Sequence, residues 1–168
     1  MGKREKKLEI IQKYIENASG SWSAYTYGKI PSDVAKGACS SYVGVRAEEI
    51  LGIIDITILG NGKKGMAFTE HKIYYDNGFL GSKGSISYEK LSECEYYPDG
   101  MLNSSYNNEA LKEMLSNLMY IEKQTFTKSI DKTITDIDDG INTVADIVDK
   151  AADVIDKLSK LFGSSETK

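Results

Sequence analysis

The sequence predicts an α+β protein in which an antiparallel sheet carries helices at both ends. Three observations predict it. Between residues 49 and 97, short apolar runs are punctuated by glycine turns, which is how an antiparallel meander reads. Residues 3–18 and 107–125 place apolar side chains three and four apart, one face of a helix in each case. From Ile130 onward the same spacing continues into a long amphipathic tail.

In chain order, Leu8, Ile11, Ile15 and Ala18 form the apolar stripe of the first helix, widened by Ile10 and Tyr14. Lys3, Arg4, Lys6 and Lys7 lie among Glu5 and Glu9 and read as its solvated end. Residues 19–29 are polar enough for a connecting loop, while Trp22, Tyr25 and Tyr27 require that it lie against the body. Residues 31–39 read as a short helix: Pro31 and Ser32 suit its start, and Asp33 suits the positive end of its dipole. Residues 45–49 read as a brief turn.

Residues 51–59 are the first strong strand, with Ile54, Ile56 and Ile58 alternating with Asp55 and Thr57 as a half-buried strand requires. Gly60-Asn-Gly-Lys-Lys-Gly65 is the turn that follows. Met66 and Phe68 belong to the second strand, residues 72–76 to the third, and Asn77-Gly78 is a hairpin signal. Residues 85–88 read as a fourth strand, 94–97 as a fifth, and Met101-Leu102 as a weaker sixth. Asn107 or Asn108 can cap a helix to about residue 125. Its face of Leu111, Met114, Leu115, Leu118 and Met119 should close the sheet.

Two runs carry a family resemblance. Gly65-Met-Ala-Phe-Thr-Glu-His-Lys-Ile-Tyr-Tyr75 and Gly84-Ser-Ile-Ser-Tyr-Glu-Lys-Leu91, preceded by Ile54-Asp-Ile-Thr-Ile-Leu-Gly-Asn-Gly-Lys63, resemble bacterial pleckstrin-homology-like (PH-like) domains of unknown function. The likeness covers residues 49–97 and extends towards the helix ending near 125. It implies a strongly bent sheet plugged by a C-terminal helix, binding to peptides, proteins or lipid head groups, and no catalytic residue to carry over. A shared fold does not establish a shared ligand. The first hairpin loop is where lipid-binding members cluster basic residues, so Lys63 and Lys64 are candidate phosphate contacts under that alternative. A solvated hairpin tip accounts for them more simply.

The tail spaces Ile130, Ile134, Ile137, Ile141, Val144, Val148, Ala151, Ile155, Leu158 and Phe162 alternately four and three apart. That is a repeat of about 3.5 residues, the pattern of a helix that packs against other helices. Ile147, Val154 and Leu161 broaden the stripe, and Gly140 is a weak point in the helix. Three outcomes compete: association with itself or another protein, fold-back on the body, and a position on a membrane surface. The polar face is rich in aspartate, which anionic lipid would repel, and association is favoured.

Composition excludes more than it identifies. The chain is 40% hydrophobic and 27% charged with a net charge of −4, so a general affinity for nucleic acid is not expected. The acidity lies mostly beyond Thr127, with six Lys and Arg against nine Asp and Glu. Cys39 and Cys94, with a single histidine, cannot build a closed zinc site. They read as free thiols in or near the core, in a reducing compartment. The acids around Asp136-Ile-Asp-Asp-Gly140 miss the calcium-loop positions. His71 has no nucleophile placed by motif. Gly60–Gly65 does not open a helix as a phosphate loop must. No signal peptide, membrane span or myristoylation motif is read, and a cytoplasmic protein is expected.

The sequence therefore predicts two parts. Residues 1–126 form the PH-like domain with its N-terminal helices. Residues 127–168 form the amphipathic helical tail, ending in a short disordered C-terminus. The expected function is a non-enzymatic interaction or scaffolding module, without cofactor, metal or catalytic residue. It assembles with itself or a protein partner through Ile130, Ile134, Ile137, Ile141, Val144, Val148, Ile155 and Leu158. The alternative is a peripheral membrane or lipid head-group adaptor.

Overall fold

A computed structural model describes residues 1–78 and 82–138, with side chains described as far as residue 124. Two compact units divide at residue 124. The first contains one five-stranded antiparallel sheet whose strands lie in chain order: β1 (Ser23–Thr26), β2 (Ile50–Asp55), β3 (Gly65–Thr69), β4 (Lys72–Asp76) and β5 (Lys83–Ser87). Helices α1 (Lys3–Ala18), α2 (Ser32–Ser41) and α3 (Tyr88–Glu93), a 3-10 turn at Ala47–Glu49 and the part of α4 (Asn108–Asp138) up to residue 124 complete it.

The sheet is covered on both faces. On one, Leu51, Ile54, Met66, Phe68, Ile73 and Tyr75 form a continuous core with Ile11 and Ile15 of α1 and with Leu111, Met114, Leu115 and Leu118 of α4. On the other, Ile50, Ile53 and Ala67 pack against Val34 and Ala38 of α2 and against Tyr42 and Val43. Ile11, Ile15 and Ala18 of the first expected stripe are buried while Leu8, Ile10 and Tyr14 are half-buried against the core, and α4 closes the sheet through Leu111, Met114, Leu115 and Leu118, with Met119 half-buried. Asn107 fixes its start: its Oδ1 accepts from Ala110 N (3.4 Å), and its own N–H donates to Ala18 O (3.1 Å), tying α4 to the end of α1.

Strand β2 departs from its expected form in two ways. Every one of its residues is buried, because helices cover both faces, so it is not half-buried. It also contains a bulge: Ile50 pairs with Thr69 and Gly52 with Phe68, leaving Leu51 as the extra residue. Gly52 lies directly against α1. A Cβ there would lie 2.6 Å from Ile11 Cγ2 and 2.8 Å from Ile15 Cδ1, so only glycine admits the helix at this distance.

Five further expectations are corrected. Residues 23–26 are an edge strand within the presumed loop, hydrogen-bonded to β2; Trp22 and Tyr25 pack on the two cores. Residues 94–97 form no strand. Ser87 caps α3 by accepting from Lys90 N (3.2 Å), and this helix turns the chain away from the sheet edge. Met101-Leu102 is likewise not a strand. The segment is held by the buried Asn77, whose amide donates to Gly100 O and to Met101 O (3.0 Å), while Tyr106 Oη donates to Asn77 Oδ1 (2.5 Å). Cys94 is exposed rather than near the core; Cys39 is half-buried beside the α2 cluster, as expected.

Lys7 is the fifth. Far from ending a solvated helix, its side chain is wholly buried. The ammonium donates to Glu122 Oε2 (2.6 Å) and to Glu70 O (2.5 Å) and lies 4.0 Å from the centre of the Tyr88 ring. Lys3 pairs with the other Glu122 oxygen.

Candidate functional site

The feature of the body that its core does not explain is the loop between β2 and β3. The sequence continues the strand to Leu59, but the structure ends it at Asp55. The Asp55 carboxylate, 1% exposed, accepts from Thr57 N (2.9 Å), Thr57 Oγ1 (2.6 Å) and Gly62 N (2.9 Å). A buried carboxylate with three donors is well satisfied. It folds residues 57–62 back on themselves. Thr57 Oγ1 in turn accepts from Asn61 N (2.9 Å), and Ile56 N donates to Lys64 O (3.2 Å).

The loop is braced from outside as well. It lies against α2 backbone to backbone: a Cβ on Gly37 would fall 1.7 Å from Asn61 O, and one on Gly62 would fall 2.1 Å from Val34 O. Gly62 also has φ +69°, a conformation that costs glycine little.

At the tip, Gly60 N donates to Thr57 O (3.2 Å), which makes Ile58 and Leu59 the central residues of a turn. These positions ordinarily take small or polar residues. Here they carry two large aliphatic side chains, 94% and 85% exposed. The expected burial of Ile58 is thus overturned, while Ile56 remains half-buried against the core. Lys63 and Lys64 follow on the same loop, both exposed. Neither forms an ion pair among the described residues. Lys64 runs beside Gly78, within 3.5 Å of where a Cβ would stand.

Replacing Asp55 by alanine should strand the buried Gly62 N–H and release the loop, at a cost of about 2–3 kcal/mol. Urea denaturation measures it. Asp55→Asn should retain part of the loss, since an amide oxygen can still accept two of the three donors.

A concavity of about 370 Å³ lies between the segment after α3 and the middle of α4. Cys94, Glu95, Tyr96, Tyr97, Met119 and Tyr120 line it. Burial pushes the Tyr97 phenol up, partly offset by its hydrogen bond with Ser116. His71 is exposed in the β3–β4 turn, where its carbonyl accepts from Tyr88 N (3.2 Å). Among the described residues no hydrogen-bonded nucleophile–base pair involves it. Among the same residues no group of three or more His, Cys, Asp or Glu could hold a metal ion. No described helix is long and apolar enough to cross a membrane.

Of the residues expected to mediate assembly, Ile130, Ile134 and Ile137 lie in the helical backbone of α4. Ile141, Val144, Val148, Ile155 and Leu158 lie outside the described residues, as do Phe79, Leu80 and Gly81 of the expected hairpin. Sequence reasoning missed Ile58 and Leu59 because it placed the first in the core; the only available signal was Asp55, a carboxylate in an otherwise isoleucine-rich strand.

The body is thus an α+β domain built on a five-stranded antiparallel meander with helices on both faces. Comparison with protein-family models, curated proteins and solved structures gave no match.

Proposed function

We propose that this chain is a PH-like, non-enzymatic interaction module that assembles through its C-terminal heptad helix. The observation that carries this reading is the length of α4. It is one helix of 31 residues. Its first part places Leu111, Met114, Leu115 and Leu118 in the core, and its backbone runs on through Ile130, Ile134 and Ile137, the first members of the heptad rows. A helix of that length with an apolar stripe is stabilised in water mainly by burying the stripe. The β-branched residues of both rows suit a bundle of more than two helices. The PH-like assignment is supported by the antiparallel meander and the closing helix, together with the resemblance of residues 49–97.

The test is substitution in the rows themselves. Ile134→Asp with Ile141→Asp in the full chain should lower the mass measured by sedimentation equilibrium to that of a monomer, leaving the thermal unfolding of the body unchanged. An unaltered mass would reject assembly through these rows.

A further inference from the structure

We propose that the body carries both halves of a head-to-tail contact between copies of this chain: the Ile58-Leu59 tip of one copy enters the tyrosine-lined concavity beside α4 of the next.

Folding leaves the tip unused. Asp55, Gly62 and Gly37 fix the β2–β3 loop, and none of these interactions calls on the side chains of residues 58 and 59. Serine or asparagine would serve the turn equally well. Two large aliphatic side chains, 94% and 85% exposed, therefore stand on a convex turn whose shape is already set. Because the loop is held, ordering it on binding costs little. The concavity is the matching half. Leu91, Tyr96 and Tyr97 form one wall, and Met119 and Tyr120 the other. Tyr96 and Tyr120 are 78% and 61% exposed. Tyrosine is enriched at protein contacts, since its ring offers a large area for little lost side-chain freedom. None of the lining residues belongs to β5, so the contact adds no strand to the sheet.

The charges select a second copy as the occupant. Lys63 and Lys64 are exposed behind the tip, and Lys36 is exposed on α2 next to Gly37, against Asp33 on the same helix. Asp55 is consumed inside the loop. Around the concavity, Glu89, Glu93, Glu95 and Asp99 are exposed against Lys90 and Lys123. A basic tip thus meets an acidic rim, which favours this pairing over tip against tip or rim against rim. The two halves lie on opposite faces of the sheet, the loop beside α2 and the concavity beside α4. A copy therefore cannot fill its own concavity. The contact is heterologous, so successive copies form a row or close into a ring. It is far smaller than the roughly 800 Å² per partner of a stable complex, and a dissociation constant on the order of a millimolar is expected. At the dilution of a sizing column it is open. The contact does not depend on assembly through the heptad rows.

The test is disulfide trapping between full-length chains that carry Leu59→Cys and Cys39→Ser and retain Cys94, which lines the concavity and is exposed. Oxidised glutathione takes the two electrons and two protons from each pair of thiols. The introduced thiol should join Cys94 of another copy at least tenfold faster than a thiol introduced by Lys29→Cys, an equally exposed position outside the loop. The preference should fall as salt rises. Adding Ile58→Ser should reduce it by roughly tenfold, and Tyr120→Glu should reduce it as well. Both are surface positions, so neither change endangers the fold. The preference should persist in chains that also carry Ile134→Asp and Ile141→Asp. Three results would each overturn the proposal: trapping no faster than at Lys29→Cys, an unchanged rate with Ile58→Ser or Tyr120→Glu, or loss of the preference with the heptad substitutions, which would assign the contact to the tail.

Discussion

Replacing Glu122 by alanine is expected to destabilise the protein by about 3–5 kcal/mol, because the Lys7 ammonium is then left buried beside a carbonyl and an aromatic ring alone. Taking a charge out of water is costly, and Lys7 is tolerated in the core only with its partners in place. Burial is the larger influence on Lys7 and lowers its pKa; the Glu122 contact acts the other way. For Glu122, burial pushes the carboxyl up, but hydrogen bonds from Lys3 and Lys7 outweigh it, and the net shift is downward from the usual 4.5. A carboxylate with a depressed pKa contributes stability that is complete above its unfolded value and is lost as the pH falls through the folded one. The parent should therefore lose stability on acidification below about pH 4.5, and Glu122→Gln should remove that part of the slope. Lys7→Met with Glu122→Leu should come close to the parent, since an apolar pair of similar size has no desolvation to offset. Chemical denaturation across pH checks all three. A cost below about 1 kcal/mol for Glu122→Ala would mean that the pair behaves as a surface ion pair.

The second large effect is expected at the contact between α2 and the β2–β3 loop. Gly37→Ala and Gly62→Ala each place a methyl group inside the van der Waals shell of a backbone carbonyl, 1.7 Å from Asn61 O and 2.1 Å from Val34 O. Backbone cannot rotate aside as a side chain can, so the loop must leave the helix. Overpacking alone costs about 1–3 kcal/mol. At Gly62 the left-handed φ adds roughly 1 kcal/mol or more. Both variants should also raise amide exchange at Thr57, Asn61 and Gly62. Gly28, with no atom within 4 Å of the position of a Cβ, is the control for space, since only its positive φ is penalised. If Gly37→Ala melts with the parent and exchanges as slowly, the loop is not braced by α2.

The two predictions rest on features that differ in how far they could be read from sequence. Helix α1 and strand β4 have the bounds that periodicity and turn residues indicate. Their signals are local: a stripe at helical spacing, and an alternating run closed by Asn77-Gly78. Lys7 was legible in part. It stands four residues before Ile11 on the buried stripe, but a lysine among Lys3, Arg4 and Lys6 reads as solvent-facing unless Glu122, 115 residues away, is known to approach. The end of β2 was hidden for the same reason. Ile54, Ile56 and Ile58 alternate as a longer strand would, and only the tertiary placement of Asp55 against Gly62 breaks the run. Strand β1 is four residues long among serines and glycines, too short to show a period. Residues 94–97 carry two tyrosines, a composition that suits a strand, but α3 turns the chain away from the sheet before them. Nothing local marks Gly37 as the seat of a loop, because its neighbour Asn61 is far along the chain.

The most direct test of assembly through the tail is the solution mass of the full chain and of residues 1–127, measured by light scattering on a sizing column. Assembly through the heptad helix predicts that the full chain elutes as an oligomer and the shorter chain as a folded monomer. If both are folded monomers at every concentration, the heptad rows do not join copies of this chain.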